Sequence, residues 1–186
     1  MNRPMTIETG APGAPPGRAI TATGQYITCA LNDAEYGLDI MSVREIKGWT
    51  ETTAIPNAPS WIRGVINLRG VIVPILDLRA RFGMEPTVPG PMHVVVIIQT
   101  AERTVGLLVD AVSDIITVDV GDIRPVPDIG AGGPDRLLSG LVPLQRGMVA
   151  LVALEKLLHI PEDGGFKSGR PREDLAAPAY ASAAAL

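Results

Sequence analysis

Apolar residues recur in short runs separated by turn signals. The runs are GQYITCAL, AEYGLDI, KGWTETTAI, IRGVINL, VIVPILDL, HVVVIIQT, RTVGLLVD, SDIITV, LSGLVPL and MVALVAL. Runs this short, broken by Asn-Asp, Ala-Glu, Arg-Gly and Gly-rich pieces, predict an all-β architecture of barrels or a sandwich. Helix is scarce: Ile40 to Ile46, at most about two turns, and Leu154 to His159, which would close the fold. Residues 1–23 and 162–186 are Pro, Gly, Ala and Thr with little to bury, so both ends are expected to be mobile, around a domain at 24–160.

The runs echo one another. With Gly37 set on Gly106, a shift of 106 − 37 = 69, LNDAEYGLDIMSVREI lies on TAERTVGLLVDAVSDI, with identities at 37/106, 38/107, 43/112 and 46/115. A second echo sets RGVIVPILDL on RGMVALVALE at a shift of 146 − 69 = 77. Two echoes in the same order predict a duplication, hence two similar five-stranded lobes, at about 24–90 and 91–160 with exchanged segments. The shared glycine predicts a strand position where another chain segment passes closely or the strand bends. Lobes this small need each other's core, and the groove between them is a natural binding surface.

Within NLRGVIVPILDLR, Pro74 interrupts a β-branched run. Proline cannot donate to the ladder, so Pro74 is expected at an edge or a bulge, with Leu151 as its counterpart in the second repeat. An edge strand can template docking or be blunted against it, and Arg69 at the adjoining turn can pair with an acidic partner. In LDIMSVREIKG, Ile40 and Val43 share a face of a short turn. Ile40 and Ile46 read as core; Val43 and Glu45 stay open between core and an exposed contact.

Composition removes other classes. Sixteen Lys and Arg against twenty Asp and Glu give a net charge of −4, with no basic footprint for nucleic acid. The single cysteine, Cys29, forms no internal disulfide and fits a reducing compartment; no stretch is long and apolar enough for a signal peptide or a membrane span, so a cytoplasmic protein without membrane insertion is expected. His93 and His159 lack partners at ligand spacing, so no metal is expected. No nucleophile elbow, P-loop or dinucleotide turn occurs, and the glycine cluster DIGAGGPDR reads as a flexible loop. The carboxylate pairs Asp110/Asp114 and Asp119/Asp122 fall short of a calcium loop. These residues predict no enzyme and no cofactor, and leave a surface for partners.

The strings EYGLDIMSVREIKG, WIRGVINLRGVIVPILDLR, VGLLVDAVSDI, IRPVPD, LLSGLVPL and VALVALEKLL resemble the CheW family of chemotaxis coupling proteins, over about residues 24–160. The resemblance implies a non-catalytic adaptor of two five-stranded SH3-like β-barrels, intertwined around a common hydrophobic core. It implies two partners, the CheW-like regulatory domain of the histidine kinase CheA and the cytoplasmic tips of methyl-accepting chemoreceptors. Val43, Glu45, Ile46 and Gly64 match the kinase-facing positions. Arg69, Val94, Val95, Val112 and Ile115 match the receptor-facing ones, between the lobes, and Glu45 and Arg69 can serve either contact. No receiver, phosphotransfer or ATP-binding module is present in the sequence. A relative serving another chemosensory cluster and a small-ligand β-barrel are the competing readings.

Overall fold

In a computed structural model, residues 22–101, 103–127, 134–145 and 147–159 are described. The expectations for the two ends, and for the glycine cluster from 128 to 133, lie outside them, apart from Ala22 and Thr23. Strands β1 (Thr23–Leu31) and β2 (Ala34–Asp39) form a hairpin, and a 3-10 turn at Ile40–Ser42 leads to β3 (Val43–Gly48). Strands β4 (Ile62–Leu68) and β5 (Val71–Asp77) form the next hairpin, followed by α1 (Leu78–Arg81). Then come β6 (Val94–Gln99), β7 (Thr104–Val109), β8 (Ala111–Asp119), β9 (Leu138–Leu144), β10 (Gly147–Val152) and α2 (Leu154–Leu158). The all-β, two-lobed architecture with few short helices is the one expected.

The helix expected over 40–46 is only the 3-10 turn. Ile40, Val43 and Ile46 are spaced as on a helix, but from Val43 onward the chain alternates faces as strand β3. The run KGWTETTAI accordingly gives only the end of β3 and an isolated bridge at Thr53.

Two five-stranded sheets result, in the orders β3-β6-β7-β5-β4 and β8-β1-β2-β10-β9. These are the same order once β1 to β5 are set on β6 to β10. Each repeat gives a hairpin to one sheet and its next three strands to the other. One lobe is therefore contiguous, 43–109, while the other is split between 23–39 and 111–152. Residues 24–90 and 91–160 correspond to the repeats, and each repeat feeds both sheets.

Both echoed glycines sit on the parallel pair of their sheet, Gly37 opposite Leu151 and Gly106 opposite Ile75. A Cβ on Gly37 would stand 2.7 Å from Leu151 Cδ2, and one on Gly106 2.5 Å from Ile75 Cδ1. The close approach is thus by side chains of the parallel neighbour. This register makes the second shift 151 − 75 = 76, which also sets Leu78 on Leu154 at the start of the two helices. The counterpart of Pro74 is Ala150, one residue from the expected Leu151.

Strand β5 is interior to its sheet, between β7 and β4. Its pairing with β7 begins only at Ile75, so Val71–Pro74 is paired with β4 alone. Pro74 ends that locally free edge, beside the register shift between Ile62 and Gly64. The missing donor is tolerated there because no β7 residue faces it across the ladder.

Three clusters make the core. Sixteen buried residues, among them Ile27, Cys29, Leu38, Leu76, Val96, Leu107, Val152 and Leu157, join the sheets. Six, including Val73, Ile75, Val95 and Ile97, fill the contiguous lobe; Val118, Val142, Val149 and Leu151 fill the split one. The shared cluster exceeds both private ones together, so each lobe depends on the other for most of its apolar burial. Burial on both faces explains the unbroken apolar run of β6.

Candidate functional site

Two pairs of edge strands remain, and the repeat relates them. On β3, Val43 is half-buried against the shared core while Ile46 is 45% exposed. On β8, Val112 is half-buried against the same core while Ile115 is 52% exposed. These are the same two repeat positions, so two expected kinase-facing residues and two receptor-facing ones are counterparts on equivalent edges. Ile46, expected in the core, is exposed, and Val43, left open between core and an exposed contact, faces the core.

The edge of β3 is joined to the β4–β5 hairpin. Arg69 and Gly70 have φ of 54° and 89°, the two positive values of a two-residue primed turn. Asn67 Oδ1 accepts from Gly70 N–H at 2.7 Å and braces that turn. The Arg69 guanidinium, 83% exposed, reaches Glu45 Oε2 at 3.1 Å, tying the hairpin to the far edge of the same sheet. An ion pair this exposed contributes about 0.5 kcal/mol at most. Its value is positional, holding a cation and a carboxylate beside exposed Ile46 and the exposed hairpin residues Val71 and Ile72.

The split lobe keeps Ile115 in the place of Ile46 and Met148 in that of Ile72, has Gly147 in that of Val71, and changes the polar members. Leu144 and Met148 are exposed on its hairpin. The counterpart of Glu45 is Asp114, and that of Arg69 is Gln145. Asp114 Oδ1 accepts from Ile115 N–H at 2.7 Å, while Thr28 Oγ1 exchanges hydrogen bonds with the Asp114 backbone where β1 and β8 shift register.

The remaining expected residues lie lower. Gly64 is buried at φ 137°, where a Cβ would overlap the Thr53 carbonyl. Thr53 and Val65 exchange backbone hydrogen bonds at 2.9 Å, so Gly64 lets a strap cover the edge of β4. Its counterpart, Gly140 (140 − 64 = 76), lies under Ile123 and Arg124, which cover β9 through the Arg124–Leu141 bridge. A glycine doing the same work in both lobes is a support for the surface above it. Val95, 2% exposed, belongs to the private core of the contiguous lobe. Val94 opposes Val109 and borders the shared core, as Val112 does, at the junction between sheets.

Buried polar groups fix this junction. Asp77, with no exposed surface, caps α1 through Ala80 N–H and accepts from Thr87 N–H at 2.8 Å and Thr87 Oγ1–H at 2.9 Å. Asp110 Oδ2 accepts from Asn32 N–H at 2.7 Å, and its Oδ1 lies 3.6 Å from Arg79 and 3.8 Å from His93. His93 Nδ1 accepts from Gly90 N–H, so this histidine has a structural role. Burial pushes the Cys29 thiol up to about 12, which leaves it protonated and inert. Among the described residues, no group of three or more His, Cys, Asp or Glu could hold a metal, and no helix is long and apolar enough to cross a membrane.

Residues 25–162 match the family model for the CheW-like domain. The chain is 45% identical over 138 residues to the probable chemotaxis protein CheW of Rhizobium etli, covering 74% of this chain and 89% of that one. It is 40% identical over 142 residues to the chemotaxis protein CheW of Klebsiella aerogenes, covering 76% and 86%. Among solved structures it resembles the scaffolding protein TtCheW of Thermoanaerobacter tengcongensis, with a TM-score of 0.68 and 28% identity over 80% of this chain and 96% of that one.

Proposed function

The chain belongs to the CheW family, and from that premise we propose that it couples methyl-accepting chemoreceptors to the histidine kinase CheA as a non-catalytic adaptor. Two exposed apolar edges on one rigid core suit a protein that holds two partners at once, raising their local concentration. The observation carrying this reading is the repeat-related pair Ile46 and Ile115, each exposed on an edge strand whose preceding valine is anchored in the shared core.

In this reading the kinase regulatory domain docks on β3, where Ile46 and Glu45 make the contact above Val43, with Gly64 supporting the neighbouring hairpin. The receptor tip docks at β8 and the sheet junction, where Ile115 meets it above Val112 and Val94, and Val95 holds β6 from within. Arg69 stands beside the first surface through Glu45 and serves either partner. The adaptor works at the cytoplasmic face of receptor arrays. Coupling receptor state to kinase output requires that the adaptor bind one signalling state more tightly than the other. Its similarity to the chemotaxis proteins of Rhizobium etli and Klebsiella aerogenes favours chemotaxis over another chemosensory cluster.

The test is a pull-down of a purified kinase regulatory domain and a receptor cytoplasmic fragment by wild type, Ile46→Asp, Arg69→Glu and Ile115→Asp. Because Ile46 and Ile115 are exposed, these variants remain folded. Ile46→Asp is expected to lose the kinase domain and keep the receptor fragment, and Ile115→Asp to do the reverse. Arg69→Glu is expected to weaken at least one partner. Full retention of both partners by all three variants overturns the surface assignment.

A further inference from the structure

A second surface lies away from both edges. The connection after β3 and the loop before β6 face each other across an open groove of about 460 Å³, lined by Trp49, Glu51, Thr52, Ile62, Arg63 and Pro89. Both walls are fixed. Trp49 packs against the private core of the contiguous lobe and donates its backbone N–H to the His93 carbonyl at 2.9 Å. Pro89 lies between Thr87, locked on buried Asp77, and Gly90, whose N–H is held by His93. The Arg63 guanidinium is committed to Asp77 and the Thr87 carbonyl. Exposed Glu51 has no ion-pair partner among the described residues.

A groove lined by Trp49, Pro89 and the Glu51 carboxylate, which has no ion-pair partner among the described residues, fits a segment rich in proline that carries an arginine. Proline rings stack on aromatic faces with little ordering cost, and the arginine pairs with the acid. The chain's own sequence holds this chemistry in APGAPPGR, residues 11–18, with three prolines and one arginine. We propose that this groove binds residues 11–18 of a second copy of the chain. Such a contact links adaptors to one another through a face separate from β3 and β8.

The experiment follows the Trp49 indole N–H signal of the full chain by NMR over a hundredfold concentration range. The same series is run for Pro12→Ala/Pro15→Ala/Pro16→Ala, Glu51→Lys and Arg18→Glu. Wild type is expected to show a concentration-dependent shift of the indole and of the Thr52 amide. The triple alanine variant should lose it, and each charge variant should weaken association by up to about fivefold. Glu51→Lys mixed with Arg18→Glu in one chain should recover part of the loss. Trp49→Phe, which has no indole and is read at the Thr52 amide, should weaken association with an unchanged unfolding midpoint. A shift independent of concentration means that each copy fills its own groove and overturns the proposal, as does an indole signal unmoved in every sample. Kinase and receptor binding do not enter this readout, so its failure leaves the adaptor reading standing.

Discussion

The contiguous lobe and the split lobe have the same strand order and differ in what surrounds it. In the contiguous lobe a buried Asp77 caps α1 and locks Thr87, so helix, loop and hairpin form one braced unit. At the same place in the split lobe stands Ala153, and α2 begins without a side-chain cap. The first hairpin tip carries Arg69 paired with Glu45; the second carries Gln145 in the place of Arg69, and no such ion pair joins it to β8 among the described residues. The apolar positions on both edges were kept. Duplication thus preserved the core and edge geometry while the polar fittings diverged.

Breaking the brace gives the largest expected effect. Asp77→Ala removes a helix cap, leaves the Thr87 N–H and Oγ1–H without their acceptor and takes the carboxylate from Arg63, so denaturant unfolding should show a loss of about 3–4 kcal/mol. Ala153→Asp, the reciprocal change, should alter stability by no more than about 1 kcal/mol, towards a gain where the new carboxylate caps α2. If Asp77→Ala costs under about 1 kcal/mol, the two lobes are not braced differently.

Next come the paired glycines. Gly64→Ala and Gly140→Ala should each cost about 2–3 kcal/mol, because each displaces the segment covering its edge strand. Partner binding by the folded fraction should be unchanged in both. A binding loss at full stability in Gly64→Ala alone would make that glycine a contact and separate it from its counterpart.

Smaller still are the edge isoleucines. Ile46→Asp and Ile115→Asp should each shift stability by less than about 0.5 kcal/mol, as exposed substitutions do, while changing which partner is held. A shift of 2 kcal/mol in either would show that its edge is covered.

At neutral pH the smallest effect is that of Cys29. Burial raises its pKa from the ordinary thiol value of 9.0 to about 12 in the folded chain. A raised pKa means the folded state holds the proton more tightly, so this stabilisation is whole below pH 9 and falls as pH rises from 9 to 12. The slope from this thiol is about 1.4 kcal/mol per pH unit, absent in Cys29→Ala. Thiol reagents at pH 8 should label the chain only on unfolding.

Much of the fold was legible because the duplication repeats its own landmarks. Gly37 and Gly106 marked a close approach on one strand of each repeat, and the pairing then showed that strand to be part of the parallel pair of its sheet. The exchange of strands was harder to read, since a strand's partner depends on which way the chain crosses after β2 and β7. The short stretch from Ile40 to Ile46 misled for a local reason. Spacings of three fit a helix, and only the register of β3 on β6 puts Ile46 outside and Val43 inside. Pro74 signalled a local edge correctly but not the strand order, because one strand can be interior along half its length. The repeat offered one unused clue: Ile46 and Ile115 occupy the same repeat position, so a surface role for one implied it for the other.

The adaptor account rests most directly on simultaneous binding. A receptor cytoplasmic fragment is immobilised, and the kinase regulatory domain is added at a concentration where it does not bind the fragment alone. The account predicts that adding this chain recruits the kinase domain in a ternary complex, and that Ile46→Asp and Ile115→Asp each abolish recruitment. Displacement of the chain from the receptor by the kinase domain, or no recruitment by wild type, would contradict it.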